Sequence, residues 1–333
     1  MSHSNSSLNC FASCMSKYKI SYIDRTAPEK VSPHLIFGTM AHEVMYNAGK
    51  LRDDTADGVV SPDDYYKIIP SEVLYPELKQ EFNIKSWQHY FTDVIKQTAE
   101  YEHKVASQLG QRGAYTIERE VKLQATVEQL KASGYHNIVQ AVVGIVDLLI
   151  YTKDSAIILD YKFSSSRKNQ DDFDMNSQLP LYAFLVHLNY GIPVRNIQIG
   201  YIDIPKQEFG APIVLSNGHL SRSKSQNCSQ HMFKAFVDEI YGPNDEVYNC
   251  EPGGYYYDIY CNLALNKAAY LSLQWLDLQT YEHVIKDLLD AAKMIDFMQQ
   301  NEMPFLRKYD SYTCKSCEHL RTCKPWLYKA EWE

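Results

Sequence analysis

The sequence predicts an α/β fold, a mixed sheet flanked by helices, on three observations. Helical periodicity at both ends encloses a middle stretch that alternates as strands do. The middle elements run in the order α, β, β, β, α, β, which calls for helices packed on a sheet. Two adjacent apolar strands around a polar turn form a hairpin.

In chain order, residues 5–22 and 34–49 read as helices, the second with Ile36, Met40 and Val44 near helical spacing. A polar stretch rich in Asp, Gly and Pro follows from Asp53 to Pro76, and 86–109 is helical again. Strands are expected at Tyr115–Leu123, Ile138–Tyr151 and Ala156–Phe163, a helix over 175–190 and a strand over Ile197–Ile204. After a Gly/Asn/Ser link at Leu215–Ser221 the chain reads as mainly helical and ends in a cysteine-bearing tail. No repeat or low-complexity segment interrupts it. The expected organisation is one domain over 1–333, with a core at about 34–205 and helical arms, 5–22 and 220–333, closing over it.

With 333 residues, 45% of them hydrophobic, the chain can bury a sizeable core. A net charge of −8 excludes a protein that coats nucleic acid through a general basic surface. It leaves room for an enzyme with a local positive lane and acids that bind cations. No run approaches the roughly 18 apolar residues of a membrane span, and the start, MSHSNSSLNCFASCMSKYK, lacks the order of a secretory signal. The expectation is a cytoplasmic protein with no membrane partner.

The segment GIVDLLIYTKDSAIILDYKF carries the chemistry. Counting outward from a two-residue turn at Lys153-Asp154 sets Asp147 across from Asp160, with Lys162 on the same face as Asp160, Ile145, Leu149 and Ile158. Two carboxylates on an apolar face repel each other and must be paired, neutralised or bound to metal. A divalent cation resolves the conflict, and hard oxygen ligands suit Mg²⁺ or Mn²⁺. Lys162 can then orient an attacking water or offset charge on a phosphate. A solvated hairpin with an ordinary Lys–Asp ion pair is the plain alternative, and the turn contains no Gly.

Gly144-Ile-Val-Asp147 followed by Leu159-Asp160-Tyr161-Lys162 resembles the PD-(D/E)XK nucleases, in particular the RecB-like branch that includes the CRISPR-associated adaptation exonucleases. The resemblance implies a restriction-endonuclease-like core. Gly38-Thr39-Met40-Ala41-His42 is similar to the branch's G-x-x-x-H element, which implies that His42 joins Asp147 and Asp160 as a metal ligand. Gln178 and Tyr182 match its Q-x-x-x-Y helix, which implies that they shape the site and contact substrate. Glu120 lies in the preceding strand and could supply another oxygen to the site, but the favoured reading is a solvated glutamate among Glu118 and Arg119.

Cys314, Cys317 and Cys323 place three soft ligands in a short segment, which needs a fourth for a tetrahedral zinc site or a cubane cluster. His319 could close a Zn²⁺ site locally. The resemblance implies instead a [4Fe-4S] cluster completed near the N-terminus, where Cys14 fits best and Cys10 lies one turn earlier; either metal would join the helical arms. Cys228, Cys250 and Cys261 read as ordinary thiols. Arg167 and Lys168, just after Lys162, read as a basic loop at the mouth of the site. Arg222 and Lys224, in a Ser-rich stretch read as opening a helix, are candidate phosphate contacts, with a simple capped helix start as the alternative. Clustered tyrosines such as Tyr255, Tyr256 and Tyr257 offer stacking surfaces.

The function these readings predict is Mg²⁺- or Mn²⁺-dependent hydrolysis of DNA phosphodiesters. The resemblance implies an exonuclease acting on single strands or ends. The alternatives are an endonuclease or a recombination and repair subunit with the same site, or a non-catalytic iron-sulfur or zinc protein that binds nucleic acid.

Overall fold

Six strands form one mixed sheet among the residues that the structure, a computed structural model, describes: 2–28, 31–55, 60–71, 78, 81–82, 84–111, 113–164, 169–308, 314–315, 317–320 and 322–323. The strands are β1 (Ser2–Ser4), β2 (Thr116–Ala125), β3 (Ala141–Tyr151), β4 (Ala156–Ser164), β5 (Ile197–Pro205) and β6 (Tyr270–Trp275). The order is β1-β3-β4-β5-β6, with β2 along the other edge of β3. β1 runs parallel to β3, and β4 parallel to β5; the remaining pairs are antiparallel.

The β3–β4 hairpin has the predicted register, with Leu148 across from Leu159 and Tyr151 across from Ala156. Its turn needs no glycine. The Thr152 hydroxyl accepts the Asp154 N–H at 3.3 Å and the Ser155 N–H at 3.2 Å. The Thr152 N–H closes the turn onto the Ser155 carbonyl at 2.9 Å. A hydroxyl that gathers the N–H groups ahead of it sets a turn without left-handed backbone.

Helices cover both faces, so the central strands are apolar almost throughout. The chain opens with α1 (Asn5–Ser13), α2 (Met15–Tyr18) and a π-helical turn (Lys19–Ile23), and continues into α3 (Pro33–Asp54). The rest are α4 (Pro62–Ile68), α5 (Trp87–Gly110), α6 (Val127–Ala132), α7 (Gln170–Asp174), α8 (Gln178–Tyr190), α9 (Gln230–Tyr241), α10 (Tyr257–Asn262) and α11 (Leu278–Gln300). The first core packs α1, α8 and α11 on Val142, Leu149, Ile158 and Ile199. The second packs α3 and α5 on Leu148, Ile150, Ile157 and Leu159. A smaller cluster around Phe233 and Tyr256 lies under α9 and α10.

Local signals explain most element ends. Ser32 caps α3 and Pro33 fills its first turn, Ser86 caps α5, and Gly191 in a left-handed conformation ends α8. The structure also corrects several expectations. The first helix is interrupted at Cys14, whose extended backbone separates α1 from α2. The polar stretch after Asp53 contains α4, capped by Ser61. A strand, β6, crosses the C-terminal region read as helical. The segment with Arg222 and Lys224 opens no helix: Ser221 and Ser223 each accept the N–H two residues on, and α9 begins only at Gln230, capped by Ser229.

Candidate active site

The sheet opens where the predicted acids lie. One edge of β3 pairs with β2 from Val142 to Tyr151, but its other edge changes partner, from β1 at 141–143 to β4 at 148–151. Beyond Leu159, β4 continues beside β5 alone. Asp147 and Asp160 therefore stand at the point of divergence, and the Asp147 Oδ2 spans it by accepting the Tyr161 N–H at 2.8 Å.

A second irregularity faces this gap. Ile117 and Arg119 of β2 turn toward the α3/α5 side, whereas Val121 and Leu123, two and four residues on from Arg119, turn to the opposite core. The reversal occurs at Glu120, whose φ of 48° is left-handed. That region is unusual for a non-glycine residue in a strand. On β3 the faces also switch, since Val146 and Leu149, three apart, share the first core. The double reversal brings Glu120 to Asp147. His42, on α3, completes the group: its Nδ1 is 3.5 Å from Asp147 Oδ2 and 3.9 Å from Glu120 Oε1. Ligand atoms of these three residues all lie within 4.8 Å of one another. Glu120 thus lies at the acid cluster, against the favoured reading of a solvated glutamate, and three charged residues in a row conceal which one turns.

Among the described residues the electrostatics are those of an acid cluster short of positive charge. Burial drives the Asp147 carboxyl well above the usual range and Asp160 adds to it, with the Tyr161 N–H offsetting part. Burial and Asp160 also raise Glu120. For His42, burial outweighs the pull of Asp160 and lowers its pKa, which favours a neutral imidazole able to act as a ligand. Lys162 Nζ is 2.6 Å from Asp160 Oδ2, yet that buried oxygen is aligned with no hydrogen-bond donor among the described residues. Three carboxylates, one of them with a buried unsatisfied oxygen, and a neutral imidazole fit a divalent cation with a preference for oxygen ligands.

From Lys162 a polar chain leads to α8. Its Nζ donates to Gln178 Oε1 at 2.9 Å, and Gln178 Nε2 donates to the Tyr182 hydroxyl at 2.7 Å. Tyr182 lies against Gly144, where an added Cβ would stand 2.8 Å from its ring. This position of β3 therefore tolerates no side chain. Burial, then Asp160, raises the phenol above its ordinary pKa and keeps it protonated. Tyr182, His42, Glu120 and Asp147 line an open groove of about 600 Å³ along α3. Larger clefts against α11 contain none of these groups, so chemistry rather than size identifies the site.

The other predicted residues lie elsewhere. Arg167 and Lys168 fall outside the described residues. Arg222 stacks its guanidinium on Tyr255 at 4.4 Å, and neither it nor Lys224 lines the groove. The cysteine-bearing tail meets the start of the chain: Lys17 Nζ is 3.0 Å from Glu318, Ser21 Oγ is 2.9 Å from His319 Nε2, and Ser16 Oγ is 3.9 Å from Cys323 Sγ. Cys10 packs against the first core, and burial pushes its thiol up to about 11. No helix among the described residues is long and apolar enough to cross a membrane.

Comparison with known proteins bears on this geometry. No curated protein matches the chain. Similar solved structures include a "Putative exonuclease" from Eubacterium rectale, 10% identical, with 97% of this chain and 88% of that one covered at a TM-score of 0.46, and SSO0001, 14% identical, with 86% and 96% covered at 0.26. The family described as the PD-(D/E)XK nuclease superfamily matches residues 2–324, nearly the whole chain. The chain belongs to the PD-(D/E)XK nuclease superfamily, enzymes that hydrolyse phosphodiester bonds with divalent metal ions.

Proposed function

We propose that the protein is a Mg²⁺- or Mn²⁺-dependent deoxyribonuclease that removes nucleotides from single strands or DNA ends. The observation that carries this reading is the convergence of His42, Glu120 and Asp147 beside Asp160 and Lys162 where the sheet opens. His42, Glu120, Asp147 and Asp160 would hold the cation. When bound, the cation polarises the scissile phosphate and acidifies the attacking water. Lys162, held between Asp160 and Gln178, has its ammonium positioned to orient that water and offset charge developing on the phosphate. Tyr182 accepts from Gln178, which leaves its hydroxyl proton for a substrate oxygen. Exonuclease action and DNA as substrate rest on the resemblance to the RecB-like branch. The test is incubation of end-labelled single-stranded and duplex DNA with Mn²⁺. Mononucleotide release that is lost in Asp147→Ala, Asp160→Ala and Lys162→Ala is expected; a ladder of internal cuts would assign an endonuclease, and undiminished cleavage by the variants would remove the mechanism.

The reading extends to the chain ends, where Cys14, Cys314, Cys317 and Cys323 would hold a [4Fe-4S] cluster. It is supported by the docking of the tail on the first helices, and the choice of Cys14 over Cys10, which also borders the tail, rests on the resemblance. His319 Nε2 is engaged with Ser21 while its buried Nδ1 has no hydrogen-bond partner among the described residues, so metal analysis decides between the cluster and a local zinc site. Anaerobically purified protein should contain iron and absorb visible light. Cys14→Ala should lose the iron and Cys10→Ala retain it; the reverse would exchange the two cysteines, and zinc in place of iron would overturn the cluster.

A further inference from the structure

Helix α3 has two interior glycines with opposite surroundings. A glycine in a helix interior costs about 1 kcal/mol relative to alanine, so each calls for a reason. Gly49 has one within the protein, because a Cβ there would overlap the Arg119 side chain. Gly38 has none: a Cβ built on it meets nothing within 4 Å. Its open side faces the groove, one turn before His42. A helix that gives up side-chain cover at such a point lets another backbone approach it closely.

The walls of the groove indicate what approaches. Leu35, one turn before Gly38, is 62% exposed, and Ile145, two residues before Asp147, is 48% exposed. A duplex presents its charged backbone outward and would leave these aliphatic surfaces unmatched. An unpaired strand offers base faces that can lie on them and on Tyr46 and Tyr182. At the far end of the groove Lys206 Nζ lies 2.8 Å from the His34 Nδ1. A cation at that point suits a phosphate.

We propose that a single strand of nucleic acid reaches the acid cluster across α3, its sugar-phosphate backbone passing over Gly38 and its bases lying on Leu35 and Ile145. This rests on the nuclease reading above and adds to it the path of the strand across α3. Gly38 is thus a specificity determinant outside the metal ligands.

The experiment compares wild type, Gly38→Ala and Gly38→Leu by thermal unfolding without DNA. It then measures anisotropy of a fluorescent single-stranded oligodeoxynucleotide and of a blunt duplex, with Ca²⁺ replacing Mn²⁺. Both variants should unfold at or above the wild-type midpoint, by about 2 °C for alanine. Affinity for the single strand should fall by about tenfold for alanine and more for leucine, while duplex affinity changes less than about threefold. A lowered midpoint would assign Gly38 an internal packing role, and unchanged single-strand affinity or an equal loss for duplex would overturn the track. Cleavage by wild type with Mn²⁺ separates the outcomes. Wild type that cuts while Gly38→Leu binds normally removes only the track, whereas wild type that cuts nothing removes the nuclease reading itself.

Discussion

Tyr161 separates two buried acid clusters that are built on opposite principles. Its side-chain hydroxyl donates to Glu102 at 2.7 Å, and its backbone N–H donates to Asp147 at 2.8 Å. Glu102 is saturated with positive charge: Arg52 lies 2.8 Å away and Arg119 2.9 Å away, and Arg119 also holds Asp53. Burial alone would raise the Glu102 carboxyl, but the two guanidinium groups and Tyr161 more than reverse this and lower it. Among the described residues, Glu120, Asp147 and Asp160 have only Lys162 and an imidazole that burial keeps neutral, and Asp147 is raised. The same fold that brings two arginines to one carboxylate leaves three carboxylates short of cations on the other side of one tyrosine. The deficit marks where a cation from solution belongs, and the arginine-rich cluster beneath keeps Arg119, and with it the reversed backbone at Glu120, in place.

The contrast between the clusters shows most strongly in activity. Neutralising the deficient cluster with Asp160→Asn, or removing Lys162 by Lys162→Ala, should lower cleavage by about a thousandfold while circular dichroism stays native. Glu102→Gln should act through stability instead, costing roughly 3 kcal/mol in chemical denaturation because two arginines are left short of a buried counter-charge. The same carboxylate sets a pH dependence. Its folded pKa is depressed, so its contribution is complete above the unfolded value of about 4.3 and is lost as pH falls through the folded one. Glu102→Gln should flatten that acid limb. Mn²⁺ at a hundredfold excess over its Kd should stabilise wild type by about 2.7 kcal/mol, and Asp147→Asn much less. The smallest effect has the opposite sign to that of Glu102→Gln: without divalent ions, Asp147→Asn should gain about 1 kcal/mol, by relieving like-charge crowding. A loss of stability in metal-free Asp147→Asn would mean that the two clusters are not different in kind.

How far these features were legible depends on how local their causes are. The hairpin register follows from its turn, and the turn from Thr152, a neighbour in sequence. His42, Asp147, Asp160 and Lys162 could be singled out because their spacing repeats a recognisable order along the chain. Glu120 could be raised as an oxygen donor but not chosen over a solvated glutamate, since its placement depends on a backbone reversal anchored by Arg119 against Glu102 and Gly49, contacts made across the fold. The interruption at Cys14 has no proline or glycine to announce it. β6 was hidden because six residues carry too little alternation to stand out between helices, and β1 because three residues become a strand only beside β3. Arg222 and Lys224 show the opposite failure, where serines that could cap a helix satisfy their own turn.

β1 has a consequence for how the molecule is made. His3 is buried and its Nε2 lies 3.0 Å from Asp296, which also accepts the Val139 N–H and the Gln140 amide. A contact across 293 residues of sequence leaves the first strand waiting until the penultimate turns of α11 have left the ribosome.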